Sequence, residues 1–116
     1  MTAHDRTLQG HVDGFLDRHP DGWDHHAWEG LLRDLHSNGV SVSDPADLGR
    51  QLEEERLRRW LARLELKGLG PRRADALSRT FGSVWALRQA DTDAIATVPT
   101  IPRALAERIC EAVARA

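Results

Sequence analysis

The stretch ELKGLGPRRADAL, Glu65 to Leu77, sets two glycines around a single leucine and follows them with a proline and two arginines. Gly68 and Gly70 carry no Cβ, so either can take positive φ and let another backbone come close. Pro71 has its φ preset for the first position of a helix, where a missing N–H costs nothing. Ala74 and Leu77 then repeat at helical spacing. The stretch reads as a tight turn that ends one helix and starts the next.

Working outward, the apolar pattern is helical almost everywhere. Leu8, Val12, Phe15 and Leu16 fall on one helical face, and Pro20 closes that segment. Trp28, Leu31, Leu32 and Leu35 form a second face, stopped by Asn38-Gly39. VSVS (40–43) alternates but is too short to make a sheet alone. Asp44 fits an N-cap, with Pro45 opening the helix. Leu57, Trp60, Leu61 and Leu64 share a face, while Leu48 and Leu52 sit off it with Gly49 between them. A bend, or two shorter helices, is expected in 45–66. Acids at the start of that segment and arginines at its end suit the helix dipole whatever the function. Beyond the turn, Pro71 opens a helix to Phe81 that Gly82 ends. Ser83 caps VWALRQA, Asp91 or Thr92 caps DAIATV, and Pro102 opens a last helix along Leu105, Ile109 and Val113. The class is all-α.

A shift of 32 residues lays LELKGLGPRRADAL (64–77) over ATVPTIPRALAERI (96–109). Leu66 meets Val98, Leu69 meets Ile101, Ala74 meets Ala106, Asp75 meets Glu107 and Leu77 meets Ile109. The echo reads as one unit, a helix, a tight turn and a helix, used twice. The pattern apolar-x-Gly-apolar-Gly-Pro-x-x-Ala-x-x-Leu resembles the helix-hairpin-helix motif. Its doubling, with FGS and the short helix 83–90 between copies, is similar to the tandem helix-hairpin-helix domain of repair nucleases, Holliday-junction binders and other DNA-processing proteins. The resemblance covers roughly residues 46–116. It implies an all-α domain over 45–116, two hairpin units joined by a connector helix; residues 1–44 lie outside it and read from their own pattern as an acidic, His-rich helical extension.

The resemblance implies a ligand, and the residues suit it. N–H groups around Gly68, Leu69, Gly70 and Arg72 are placed to donate to a phosphate oxygen at a helix N-terminus. Leu69 itself packs back between the helices. Lys67, Arg72 and Arg73 surround the turn with charge, and Arg56, Arg59 and Arg63 form one helical stripe leading to it. Contacts of this kind bind DNA without reading its sequence. The second turn, VPTIPRAL, departs from the motif. Thr100 replaces the first glycine and resists positive φ, and Pro102 replaces the second and removes a donor. Thr100, Ile101 and Arg103 are expected to give a weaker contact at most, with the second copy mainly structural.

The bulk numbers allow this reading once charge is divided along the chain. The 116 residues carry a net charge of −2. Residues 1–44 hold three arginines against eight acids, a balance of −5. Residues 56–88 hold nine basic residues (Arg58, Arg79 and Arg88 besides those named) against Glu65 and Asp75, a balance of +7. No apolar run approaches a membrane span and the first residues lack a secretory pattern, so a cytoplasmic protein without membrane contact is expected. Cys110 alone makes an internal disulfide impossible and reads as an inert core thiol.

Histidines 4, 11, 19, 25, 26 and 36 all lie in the first 36 residues. Adjacent His25 and His26 point about 100° apart on a helix, and no thiolate joins them, so no metal is expected. Trp23, Trp28, Trp60 and Trp85 read as packing residues, one of which could dock a partner. Some helix-hairpin-helix proteins are glycosylases with a nucleophilic lysine just after the second glycine. The aligned residue here is Arg72, which cannot form a Schiff base at ordinary pH. No catalytic residues and no cofactor are expected. The expected function is an accessory in DNA repair, recombination or processing that grips backbone phosphate through the first hairpin, with residues 1–44 available to a protein partner. The rival is a protein-interaction module on the same fold that has lost DNA binding, which the altered second turn favours; RNA binding through the same turn is a third reading.

Overall fold

In a computed structural model of the chain, residues 8–116 are described; His4 and Arg6 lie outside them. Among the described residues there are seven α-helices and no strand: α1 (Leu8–Arg18), α2 (His25–Ser37), α3 (Pro45–Arg63), α4 (Pro71–Phe81), α5 (Val84–Gln89), α6 (Thr92–Ala96) and α7 (Arg103–Arg115). The chain divides into two compact units, one ending at Leu52 and the other spanning Glu53–Ala116.

The caps explain why the helices start where they do. Asp24, Ser83 and Asp91 each accept a hydrogen bond from the amide three residues on, at 2.8, 3.1 and 2.8 Å. Each satisfies a donor that the first turn of its helix leaves free. Asp91, not Thr92, is the α6 cap. Asp44 accepts from Ala46 and Asp47 ahead of Pro45. Gly82 ends α4 in the left-handed region, φ 80°, its amide donating to Ser78.

Of the bend or two shorter helices expected in 45–66, the two shorter helices are absent: α3 runs unbroken from Pro45 to Arg63. Leu48 and Leu52 lie off the Leu57/Trp60/Leu61 face because they belong to a different core. They are buried with Val12, Phe15, Leu16, Leu31 and Leu35 of the first unit. Gly49 stays helical, with the Trp28 ring 3.8 Å from where its Cβ would sit.

The second unit packs the end of α3 with α4 to α7 around Leu57, Leu61, Leu77, Leu87, Ile95, Ile101, Leu105 and Ile109. Trp60 joins this core, and the Arg88 guanidinium lies 5.7 Å from its ring centroid. Trp23 and Trp28 pack, half-buried, on the core of the first unit. Trp85 is the exposed tryptophan of the four, standing 71% exposed. The short helix α5 fills its inward side with Val84 and Leu87, three residues apart, which turns position 85 outward. Cys110 is half-buried against the same core.

The 32-residue repeat is written in the backbone hydrogen bonds of the second unit. The Leu69 amide donates to Leu66 at 3.0 Å, and the Ile101 amide donates to Val98 at 3.0 Å. The Ala74 amide donates to Gly70 at 3.0 Å, and the Ala106 amide to Pro102 at 2.9 Å. Glu65 to Ala62 and Thr97 to Ala94 repeat again, both at 3.3 Å. The two copies part in the sign of φ. Glu65 and Gly68 are left-handed, at 52° and 92°, whereas Thr97 has φ −71° and Thr100 is not among the positive-φ residues. Two threonines, branched at Cβ, stand where the first copy turns left-handed.

Candidate nucleic-acid interface

The first hairpin presents Lys67, Gly68, Gly70, Pro71 and Arg72 to solvent, while Leu69 packs half-buried on the core as expected. Only one glycine is left-handed: Gly68 has φ 92°, and Gly70 has φ −88°, an extended N-cap conformation that any residue adopts. Gly70 has no side chain to cap α4, Pro71 has no N–H, and the first internal bond of α4 comes from Ala74. The amides of Gly68, Gly70, Arg72 and Arg73 therefore have no acceptor among the described residues. The Leu69 amide is different, being spent on Leu66.

Two successive carbonyls of the turn, Lys67 O and Gly68 O, are held by arginine side chains. Arg73 donates through Nη1 to Gly68 O and through Nε to Thr100 O, the latter at 2.8 Å. Arg108, from α7, donates through Nη1 to Lys67 O at 2.8 Å. Arg73 thus joins the equivalent carbonyls of the two turns, since 68 and 100 are related by the repeat. Gly70, Pro71, Arg72, Arg73 and Thr100 line one open depression of about 440 Å³. Thr100 and Arg103 are exposed and Ile101 is buried. Arg103 is ion-paired to Asp93 at 2.8 Å, a bond that raises its pKa further.

Positive charge around the turn is less available than the count of +7 implies. Arg58 is held between Glu55 and Asp75, Arg59 pairs with Glu55 at 3.3 Å, Arg56 with Glu53 at 4.0 Å, and Arg79 with Asp75 at 3.1 Å. The acids Glu53 and Glu55 lie just before residue 56 in the chain and fold back one helical turn onto these arginines. Among the described residues, the side chains of Arg63, Lys67 and Arg72 have no ion pair or hydrogen bond, and all three are exposed. Arg108 escaped the sequence reading because its partner, Lys67 O, lies 41 residues away and no residue pattern marks a backbone carbonyl.

His25 lies 3.5 Å from Glu29, and among the described residues no group of three or more His, Cys, Asp or Glu side chains is placed to share a metal ion. No helix among those residues is long and apolar enough to cross a membrane.

Residues 61–115 match the family model described as a SAM-like helix-hairpin-helix tandem. The chain is also similar to UvrABC system protein C from several bacteria. It is 30% identical to that of Sodalis glossinidius over 106 residues, which cover 91% of this chain and 16% of the relative. It is 30% identical to that of Photobacterium profundum over 88 residues, 76% of this chain and 13% of the relative. It is 45% identical to that of Symbiobacterium thermophilum over 49 residues, 42% of this chain and 8% of the relative. The chain thus spans less than a fifth of the length of these relatives. No solved structure matches it. The match falls on the hairpins whose hydrogen bonds repeat at 32 residues: residues 61–115 are a helix-hairpin-helix tandem.

Proposed function

We propose that this protein binds DNA without sequence preference, as a non-catalytic accessory in DNA repair or processing, and that it does so through the first hairpin. The observation that carries the reading is the row of open amides at Gly68, Gly70 and Arg72 beside the unpaired cations Arg63, Lys67 and Arg72. A phosphate oxygen is the acceptor such a turn suits, because the N–H groups and the helix dipole both favour an anion there. The helix-hairpin-helix match and the likeness to UvrABC system protein C support a DNA-binding role. Arg56 and Arg59 extend the track along α3 but contribute less, since each is paired with an acid. Thr100 lines the same depression, whereas Arg103 is committed to Asp93. Residues 1–44, acidic in composition, are where a protein partner would dock, and the protein is assigned to the cytoplasm.

The test is a fluorescence-anisotropy panel of duplex, single-stranded, forked and four-way DNA with an RNA control, repeated across salt. DNA binding whose logarithm falls linearly with log salt is the expected result, because each neutralised phosphate releases counterions. No binding to any DNA, or salt-independent binding, would transfer the fold to the protein-interaction reading. Preference for the RNA control would replace DNA with RNA as the ligand.

A further inference from the structure

We propose that Arg73 and Arg108 are positioning residues: together they fix two successive peptide planes of the first turn, closing it at Leu69 and leaving the Gly68 amide facing outward, and the second hairpin serves as the abutment of that brace. The inference rests on the DNA-binding reading for its consequence, though not for its geometry.

A peptide unit is planar and trans, so its C=O and N–H point in opposite directions. The plane that carries Lys67 O also carries the Gly68 N–H. Arg108 Nη1 holds Lys67 O at 2.8 Å, which aims the Gly68 amide the other way, where it has no protein acceptor. The next plane carries Gly68 O and the Leu69 N–H. Arg73 Nη1 holds that oxygen, and the opposite amide closes the turn onto Leu66 at 3.0 Å. Two guanidinium groups from two different helices therefore fix two successive planes.

The same Arg73 reaches Thr100 O through Nε at 2.8 Å. The Ile101 amide in the plane of that carbonyl closes the second turn onto Val98. This accounts for a second hairpin whose turn lacks both glycines while its core positions match those of the first: Ile101, Ala106 and Ile109 are buried. Its turn supplies a carbonyl to lock the first one, and that task needs neither glycine nor an open amide. Gly68 lacks a Cβ at the point where the two arginines converge, 3.4 Å from Arg108 Nη2 and 4.0 Å from Arg73 Nη1.

A brace and a phosphate ligand respond differently to lysine. Lysine keeps the charge that neutralises a phosphate but lacks the planar fork that spans two carbonyls. Arg73→Lys and Arg73→Gln should therefore both lose about tenfold in DNA affinity, with the salt slope of Arg73→Lys unchanged. In the free protein, amide hydrogen exchange at Leu69 should accelerate about tenfold in both. Arg73→Lys with wild-type affinity and wild-type exchange, while Arg73→Gln loses affinity, would overturn the proposal and make Arg73 a direct phosphate contact. If no DNA binds the wild-type chain, the functional reading fails, and the exchange measurement still decides the brace. Arg108→Lys, which frees Lys67 O from α7 and with it the plane of the Gly68 amide, should likewise lose about tenfold in DNA affinity with its salt slope unchanged, wild-type affinity overturning its part in the brace, and serves if the position 73 variants fail to fold.

Discussion

Arg108 Nη2 stands 3.4 Å from the point that a Cβ on Gly68 would occupy, although 40 residues separate the two. At Gly70, the other glycine of the turn, a Cβ would meet nothing within 4 Å. The two glycines therefore have different reasons to be glycine, and substitution separates them.

Gly68→Ala should destabilise the second unit by about 1–2 kcal/mol, the cost of a left-handed alanine, before the contact with Arg108 is added. Gly70→Ala, at an extended φ with open space around it, should leave the melting temperature nearly unchanged. Its DNA affinity should still fall severalfold, because the methyl group stands where a phosphate must approach the backbone. Unaltered affinity for Gly70→Ala would remove the close backbone contact from the mechanism.

The exposed cations are countable by salt. Arg63→Gln, Lys67→Gln and Arg72→Gln should each lower the slope of log K against log salt by about 0.9 if one phosphate contact is lost. Arg56→Gln and Arg59→Gln should lower it by less, since Glu53 and Glu55 already compensate those charges. Equal slopes for all five variants would mean that the ion pairs open on binding.

Glu65 holds φ 52° at the end of α3, the one non-glycine residue with positive φ among those described. Glu65→Gly should remove strain and stabilise the protein by roughly 0.5–1 kcal/mol, less the entropy that glycine loses on folding. It also removes an acid two residues from Lys67, so affinity for DNA should rise slightly. A chemical-denaturation midpoint below wild type would show that the Glu65 side chain contributes more than its backbone costs.

Leu77 and Ile109 are related by the repeat, and each has no exposed surface. Leu77→Ala and Ile109→Ala should each cost about 2–5 kcal/mol, as core truncations do. A cost below about 1 kcal/mol at Ile109 alone would mean that the second hairpin does not share the cooperative core.

Asp47 gives a local pH signature. Its hydrogen bond with Arg50 holds the carboxyl below its usual pKa. A folded pKa below the unfolded one stabilises above the unfolded value, about 3.9 for aspartate, and the effect is lost as pH falls through the folded value. Asp47→Asn should therefore lower the melting temperature at pH 7, and the gap from wild type should close in acid, as pH falls through the folded value. A gap that persists there would assign the effect to Gln51, which also donates to Asp47 at 2.8 Å.

Period and punctuation alone were enough to define the helices, the caps at Ser83 and Gly82, the doubled hairpin and its 32-residue register, because these depend on neighbours within a few residues. Local pattern misled at Gly49, where a glycine between two off-face leucines looked like a break. Leu48 and Leu52 face a second core, and only the packed chain shows which core a leucine joins. Charge misled in the same way: +7 over residues 56–88 counts arginines that acids just outside the window neutralise. The amides at Gly68 and Gly70 were foreseeable from residue type, but not that Gly70 is extended and Gly68 left-handed. The role of Arg108 was beyond reach, since its partner is a backbone carbonyl 41 positions away and carries no side-chain signal. Helix and turn are decided by what lies within one turn of the chain; which cations stay free, and which way a peptide plane faces, are decided by contacts that exist only once the helices have packed.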